Sequence, residues 1–437
     1  MRIALMSTVL ASGLLLSQMA HATNLQEAMA KAVATHPEIG VSEKDSNAIG
    51  HRIDQAKAGY KPTVDFVAGT GWENSHNIST AFRNGRGQGD KSGRDLWRNE
   101  SRVTVRQMLF DGWQTKSRVA QEENRYASSL AHVMDVRNVV GLRAVAAYLD
   151  VLRTRELVAL SEQNVSTHQG YVGKIQNRSA SGRTAGADVR QAEGRLQLAK
   201  ANLEAAKGEA KAAEADYLEA VGEMPSNPTH DAAPFAAIPA NTKAAVDRAT
   251  SNSPVIASAL ADIKAANAEL AESKSVFCPR FELEGGASNN VNLDGIKGRN
   301  TDYTAMLMMR YNMYNGGHDV AQRAERIERV KSAEEMLEKD RRDVERLTIK
   351  AYAQMETARD RLKPLTEHAE DATSTRDAYA QQFDLGQRTL LDLLDSEVEL
   401  YNSKSALITG KYEVEAAAYA VLAHMGDLVP ATQVAAK

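Results

Sequence analysis

The sequence predicts a mainly α-helical protein with a β component, in which a strand–strand–long-helix hairpin unit occurs twice. Three observations carry this prediction. Punctuating residues recur at fixed offsets, two long stretches have helical periodicity, and four short stretches alternate apolar with polar residues.

The duplication is read from prolines and glycines. Pro37 and Pro62 lie 25 residues apart, and Pro254 and Pro279 reproduce that spacing 217 residues later. Further on, the turn from Phe110 to Gly112 (FDG) matches Tyr314 to Gly316 (YNG) at an offset of 204. The same offset of 204 maps Gly182 onto Gly386, Asp188 onto Asp392 and Gly222 onto Gly426. The 13-residue difference between the offsets falls between the prolines and the turns, where it implies a loop of different length. Pro225, Pro228, Pro234 and Pro239 crowd into one irregular connector. The predicted organisation is a signal segment 1–22, a first repeat 23–224, a connector 225–240, a second repeat 241–428 and a tail 429–437.

The first residues read as an export signal. Arg2 supplies a positive start, Ile3 to Leu16 an apolar stretch too short to span a bilayer, and Ala20-His21-Ala22 a cleavage site. No later apolar run reaches membrane-helix length.

The helical stretches run from Gly112 to Gly182 and from Gly316 to Gly386, 70 residues each. In the second, Val344, Leu347, Ala351, Met355, Ala358, Leu362, Leu365, Ala369 and Ala372 step by three or four, the coiled-coil period. Such a helix is roughly 100 Å long, at about 1.5 Å per residue. Pro364 is expected to kink it, or at least to remove one backbone hydrogen bond. After each glycine turn a shorter helix returns.

The strands come before those helices. From Arg280 to Leu293, apolar Phe281, Leu283, Ala287 and Val291 alternate with Glu282, Glu284 and Asn290. From Asp302 to Tyr314, one face carries Tyr303, Ala305, Leu307, Met309, Tyr311 and Met313. The first copy repeats the pattern with Val64, Phe66, Ala68 and Trp72, then with Val103, Val105 and Leu109 against Arg102, Thr104 and Arg106. One apolar face, one polar face and aromatics near the ends suit an outer-membrane barrel wall in contact with lipid. Four strands cannot close a barrel, and an open edge in lipid leaves backbone groups unpaired. The barrel must therefore be shared among subunits, whose number periodicity does not give.

Chemistry is not indicated. A net charge of −4 gives no basic footprint for nucleic acid. Cys278 is the one cysteine, the ten histidines show no metal-binding spacing, and no nucleophile elbow is present. GRGQGDKS, Gly85 to Ser92, places Asp90 where a phosphate loop needs its second glycine, and it lies between strands. No catalytic, cofactor-binding or metal-binding residue is assigned, and no cofactor is expected.

The stretch FDLGQRTLLDLLD, Phe383 to Asp395, organises the chain. Gly386 supplies the reversal, and Asp392 and Asp395 fall three apart on one face of the resuming helix. Alone, this reads as a capped, solvated helix start.

Together with the GRTAGAD turn at Gly182, the duplication and the strands, it resembles the TolC family of outer-membrane channels over Asn24 to about Leu428. That resemblance implies a homotrimer with a 12-stranded outer-membrane β-barrel, continued by a periplasmic α-helical barrel. It implies a passive exit duct of a type I secretion or tripartite efflux system, with a periplasmic adaptor and an inner-membrane ABC or other export transporter as partners. Gly182 and Gly386 become periplasmic tip turns, and Asp392 and Asp395 the gate constriction. The family's latch maps onto Asp188, Arg388 and Phe383; Phe383 departs from it by lacking a hydroxyl, so the closed state is expected to be held less firmly or by other contacts. QMLFDGW, Gln107 to Trp113, is similar to the type I branch. The alternative is a periplasmic adaptor with coiled-coil hairpins, against which the duplication and strands argue.

Overall fold

The computed structural model describes residues 24–77, 94–181, 185–230 and 233–428. The signal segment, the GRGQGDKS stretch, Gly182 and the tail from 429 lie outside the described residues. Within them the order α-α-β-β-α-α occurs twice. Helices α1 (Leu25–Thr35) and α2 (Pro37–Lys57) precede strands β1 (Thr63–Ser75) and β2 (Arg94–Phe110), then helices α3 (Gln114–Ala180) and α4 (Gly186–Val221). Helices α5 (Thr242–Asn252) and α6 (Pro254–Glu272), strands β3 (Arg280–Val291) and β4 (Arg299–Arg310), and helices α7 (His318–Asp384) and α8 (Leu390–His424) follow. Helices α3 and α7 are 67 residues each. Pro364 lies inside α7, which is helical from His318 to Asp384; the proline removes a donor without ending the helix.

Two compact units are formed, one from the chain up to Gly40 with Val136–Ser251 and the chain from Val344, the other from Val41–Asp135 and Asn252–Asp343. The second unit holds an antiparallel sheet of order β1-β2-β3-β4. Its register puts Phe66 beside Val103, Val103 beside Ala287 and Ala287 beside Tyr303. Trp72 pairs with Trp97, and Leu283 with Leu307. Because paired residues share a face, these side chains form one continuous apolar surface. It stays uncovered within the chain: Tyr303 is 81% exposed and Phe66 68%.

The opposite face is zipped by charge. Arg106 reaches Asp65 at 3.2 Å and Glu284 at 3.9 Å, while Arg310 pairs with Glu282. A bulge at Leu109 shifts the register so that Phe110 pairs with Phe281. Strand β4 ends at Arg310 rather than near Tyr314. Asn312 accepts from the Tyr314 amide and the Asn315 carbonyl from the His318 amide, so turn chemistry takes the chain out of the sheet early.

The first unit is a conventional buried core. Its fully buried residues include Tyr148, Val151, Ile175, Tyr217, Leu393, Leu394 and Leu422. The connector is irregular as expected and pinned at several points: Tyr148 donates to the Thr229 carbonyl at 2.5 Å, Tyr352 to that of Pro239 at 3.1 Å, and Arg155 to that of Pro225 at 3.3 Å. At Gly410 of α8 a Cβ would stand 2.7 Å from a methyl of Leu365 on α7, whose side chain would have to shift to admit it.

Candidate functional site

The first unit brings together the ends of α3 and α7 with the starts of α4 and α8. The α7–α8 turn follows from its sequence. Gly386 has φ +76°; its amide donates to the Phe383 carbonyl at 3.0 Å, and the Gln387 amide to that of Gln382 at 2.8 Å. That is a Schellman stop with glycine at the left-handed position. Three residues on, Thr389 and Asp392 form a capping box. The Thr389 hydroxyl accepts from the Asp392 amide at 3.2 Å and donates to the Asp392 carboxylate at 2.7 Å. Asp392 is thus engaged in starting α8, with Arg388 3.8 Å from its carboxylate.

Phe383 is 5% exposed and packs with Tyr171, Ile175, Ala192, Leu390, Leu393 and Leu394. The Arg178 guanidinium lies 4.3 Å above its ring and donates to its carbonyl at 3.3 Å. Asp384 next to it accepts from Lys174 at 3.1 Å and Arg178 at 3.4 Å. A phenyl ring therefore serves here as a packed anchor with a cation on its face, a favourable contact that needs no hydroxyl.

The other expected residues separate. Arg388 stacks 4.0 Å over Tyr379 and donates to Gln382 at 3.0 Å. Among the described residues the Asp188 carboxylate has no hydrogen-bond or ion-pair partner, so Arg388 and Asp188 are not joined within the chain. Asp395 accepts from Arg195 of α4 at 2.7 Å.

Sequence reading missed the charged groups inside this core. The Tyr171 hydroxyl donates to Glu397 at 2.6 Å, and Arg376 reaches the same oxygen at 3.2 Å. Glu397 is 4% exposed. Burial, reinforced by the Glu397 carboxylate, pushes the Tyr171 phenol well up. His168, 3% exposed beside Tyr171, is held below the ordinary imidazole value by burial, against the pull of Glu397 and with the push of Arg195. One signal was available. Leu390, Leu394, Glu397 and Leu400 step by four, three and three, which puts a carboxylate into an apolar seam. Lys174, Arg178 and Arg195 gave no such signal. Among the described residues no group of three His, Cys, Asp or Glu side chains is placed to hold a metal ion, and no helix is long and apolar enough to cross a membrane.

A four-stranded sheet with a bare apolar face, paired with long helical hairpins, defines the class of outer-membrane channels with helical extensions. The family model described as outer membrane efflux protein matches residues 28–223 and 245–427. The chain belongs to that family, whose members are channel proteins of the outer membrane rather than enzymes, and the resemblance to TolC-type channels holds. The outer membrane efflux protein BepC of Brucella suis biovar 1 (strain 1330) is 28% identical over 97% of this chain and 90% of its own length. Among solved structures, the Campylobacter jejuni CmeC outer membrane channel matches with a TM-score of 0.77 at 12% identity, covering 92% of this chain and 86% of that one. The Vibrio cholerae outer membrane protein VceC matches at 0.74 and 14% identity, covering 92% and 96%. At those identities they establish the shared fold. The periplasmic adaptor alternative finds no support in these matches.

Proposed function

We propose that this chain is the exit duct of a tripartite efflux or type I secretion system, passively conducting cargo received from an inner-membrane transporter through a periplasmic adaptor. The observation that carries this reading is the sheet: its apolar face is bare, and among the described residues of one chain both edge strands, β1 and β4, lack an outer neighbour. Such edges in lipid require closure by other copies. Three copies supply 12 strands, within the size range of outer-membrane barrels, so a homotrimer surrounded by outer-membrane lipid is the assembly proposed. The proposed domain division is two repeats, 23–224 and 241–428, on either side of the connector 225–240, behind a cleaved segment 1–22.

The tip turns at Gly182 and Gly386 would meet the adaptor. Asp392 and Asp395 would line the constriction, with Asp188, Arg388 and the anchored Phe383 belonging to the latch. Efflux is supported by the name of the BepC relative, and a type I role by QMLFDGW at Gln107 to Trp113. Loss of the gene separates the two: drug sensitivity with normal secretion marks efflux, and retained cargo protein marks type I export.

The channel itself is tested by single-channel recording of purified protein in a planar bilayer, wild type against Asp392→Asn/Asp395→Asn. Cation-selective openings blocked by multivalent cations, with weaker block in the variant, are expected. Pores indifferent to the variant move the constriction elsewhere. No pores from well-folded oligomer overturn the channel reading.

A further inference from the structure

We propose that the loop joining β3 to β4, residues 292–298, is a fixed restriction of the outer mouth: it folds across the polar side of the sheet, is fastened there by Arg98, and limits the size of what passes. The inference rests on the shared barrel proposed above and adds to it a size-determining element. Helix α6 leads into β3 at Arg280 and β4 leaves for α7 at Arg310, so the loop lies at the end of the sheet away from its helices. In an outer-membrane channel with periplasmic helices, that end opens to the exterior. Strand β2 runs on beyond β3: Asn99 is level with Val291, and Arg94 to Arg98 continue past it. Trp72 and Trp97 pair on the apolar face, so their neighbours Glu73 and Arg98 point to the other side. The loop crosses on that side. One nitrogen of Arg98, Nη1, lies 2.9 Å from Glu73 of β1 and 3.5 Å from Asp294 of the loop. The Asp294 carbonyl accepts from Asn77, just beyond β1, at 2.9 Å. A loop that starts on β3 and reaches the end of β1 passes over β2, which stands between them. In a closed barrel the polar side is the inside, so the loop of each copy leans over the opening.

The loop is built, not merely long. Asn292, Asp294, Gly295 and Gly298 have φ of +60°, +52°, +74° and +125°. Left-handed angles at two residues with side chains persist where surrounding contacts hold them. Those contacts are present. The Asn292 amide donates to the Gly298 carbonyl at 2.8 Å, the Gly298 amide to the Asn292 side chain at 3.1 Å, and the Ile296 amide to the Leu293 carbonyl at 2.9 Å. The Asn292 side chain donates in turn to the Trp97 carbonyl of β2 at 2.8 Å. Arg98 is the fastening, since it pairs with Glu73 and Glu100 on the sheet and with Asp294 on the loop, its side chain only 30% exposed. Hydrogen bonds between ionised partners are the stronger kind, and they fix direction as well as distance. Asp294, Ile296 and Lys297 stay exposed and are the loop side chains that a passing solute would meet. A loop held in this way acts as a size limit. Small solutes pass beside it, and bulky ones must displace it.

The test compares wild type, Arg98→Gln, Asp294→Asn and a full chain in which 292–298 is replaced by Asn-Gly, a two-residue turn suited to antiparallel strands. Hydrogen exchange of amides 292, 296 and 298 in the solubilised protein reads the fastening. Exchange should be slow in wild type and roughly tenfold faster in Arg98→Gln, as for the loss of a hydrogen bond to a charged group. Asp294→Asn should shift it in the same direction by less, while amides 103 and 287 inside the sheet stay unchanged in both. Planar-bilayer recording with polyethylene glycols of graded size, added to each side in turn, reads the mouth. The shortened loop should admit larger polymer from one side only, and Arg98→Gln should move the limit the same way. Fast exchange of the loop amides in wild type, or a size limit that both variants leave unchanged, would overturn the proposal. If wild type conducts nothing while its loop amides are protected, the channel reading falls and the restriction with it, leaving the loop as a cap on the strand ends.

Discussion

The sheet and the tip of the helical hairpins solve opposite problems with similar residues. In the sheet, Phe66, Trp72, Tyr303 and Leu307 are turned outward, and the charges of the other face, Arg106, Asp65 and Glu284, neutralise one another. At the tip, Phe383, Leu393 and Leu394 are buried, Tyr171 and Glu397 are buried with them, and half-buried Arg376 pairs with Glu397. One surface is left bare by its own chain; the other closes on itself. An exposed aromatic face spends no packing on its own chain, so its residues report the solvent they expect. A buried ion group is weak evidence for stability and better evidence for a specified arrangement.

The sharpest break in that contrast is Phe383→Ala, which removes the anchor at the closed end. A buried phenylalanine reduced to alanine costs about 3–5 kcal/mol, and denaturant unfolding of the solubilised protein should show a loss in that range. A loss under about 1 kcal/mol would mean the ring is not packed as described. Next comes Leu307→Arg on the bare face. A cation facing lipid near the bilayer centre costs about 2–4 kcal/mol, whereas Thr104→Arg on the opposite face should be nearly silent. Refolding into lipid vesicles measures both, and equal effects would remove the assignment of faces.

The smallest expected effect concerns His168, which lies against Tyr171 of its own helix and within the influence of Glu397 of α8 and Arg195 of α4. Burial keeps its imidazole neutral with a folded pKa below the ordinary value of about 6.5. Stability is then fully present above that value and is lost as pH falls through the folded one. The denaturation midpoint should drop more steeply between pH 7.5 and 5.5 in wild type than in His168→Gln. Parallel slopes would place the acid sensitivity elsewhere.

Much of this was legible in the sequence, for physical reasons. Period-two alternation identified the apolar face because a strand's side chains must alternate, and the register then aligned all four strands. Gly386 announced its turn because a left-handed residue there favours glycine. The end of β4 was set too late because Tyr311 and Met313 continue the alternation, while the asparagines at 312 and 315 divert the backbone. Phe383 has no hydroxyl to offer; the face of its ring meets Arg178, which sits 205 residues earlier. Pairs such as Arg178–Phe383 and Arg195–Asp395 join distant positions that look like ordinary solvated helix residues, and no local period encodes them.

The measurement closest to the central claim is the native mass of the detergent-solubilised protein, taken with its β-sheet circular dichroism. A sheet open at both edges and bare on one face predicts a stable threefold mass that loses its sheet signal when driven to monomer. A monomer that keeps the full sheet signal would contradict the shared barrel and the channel built on it.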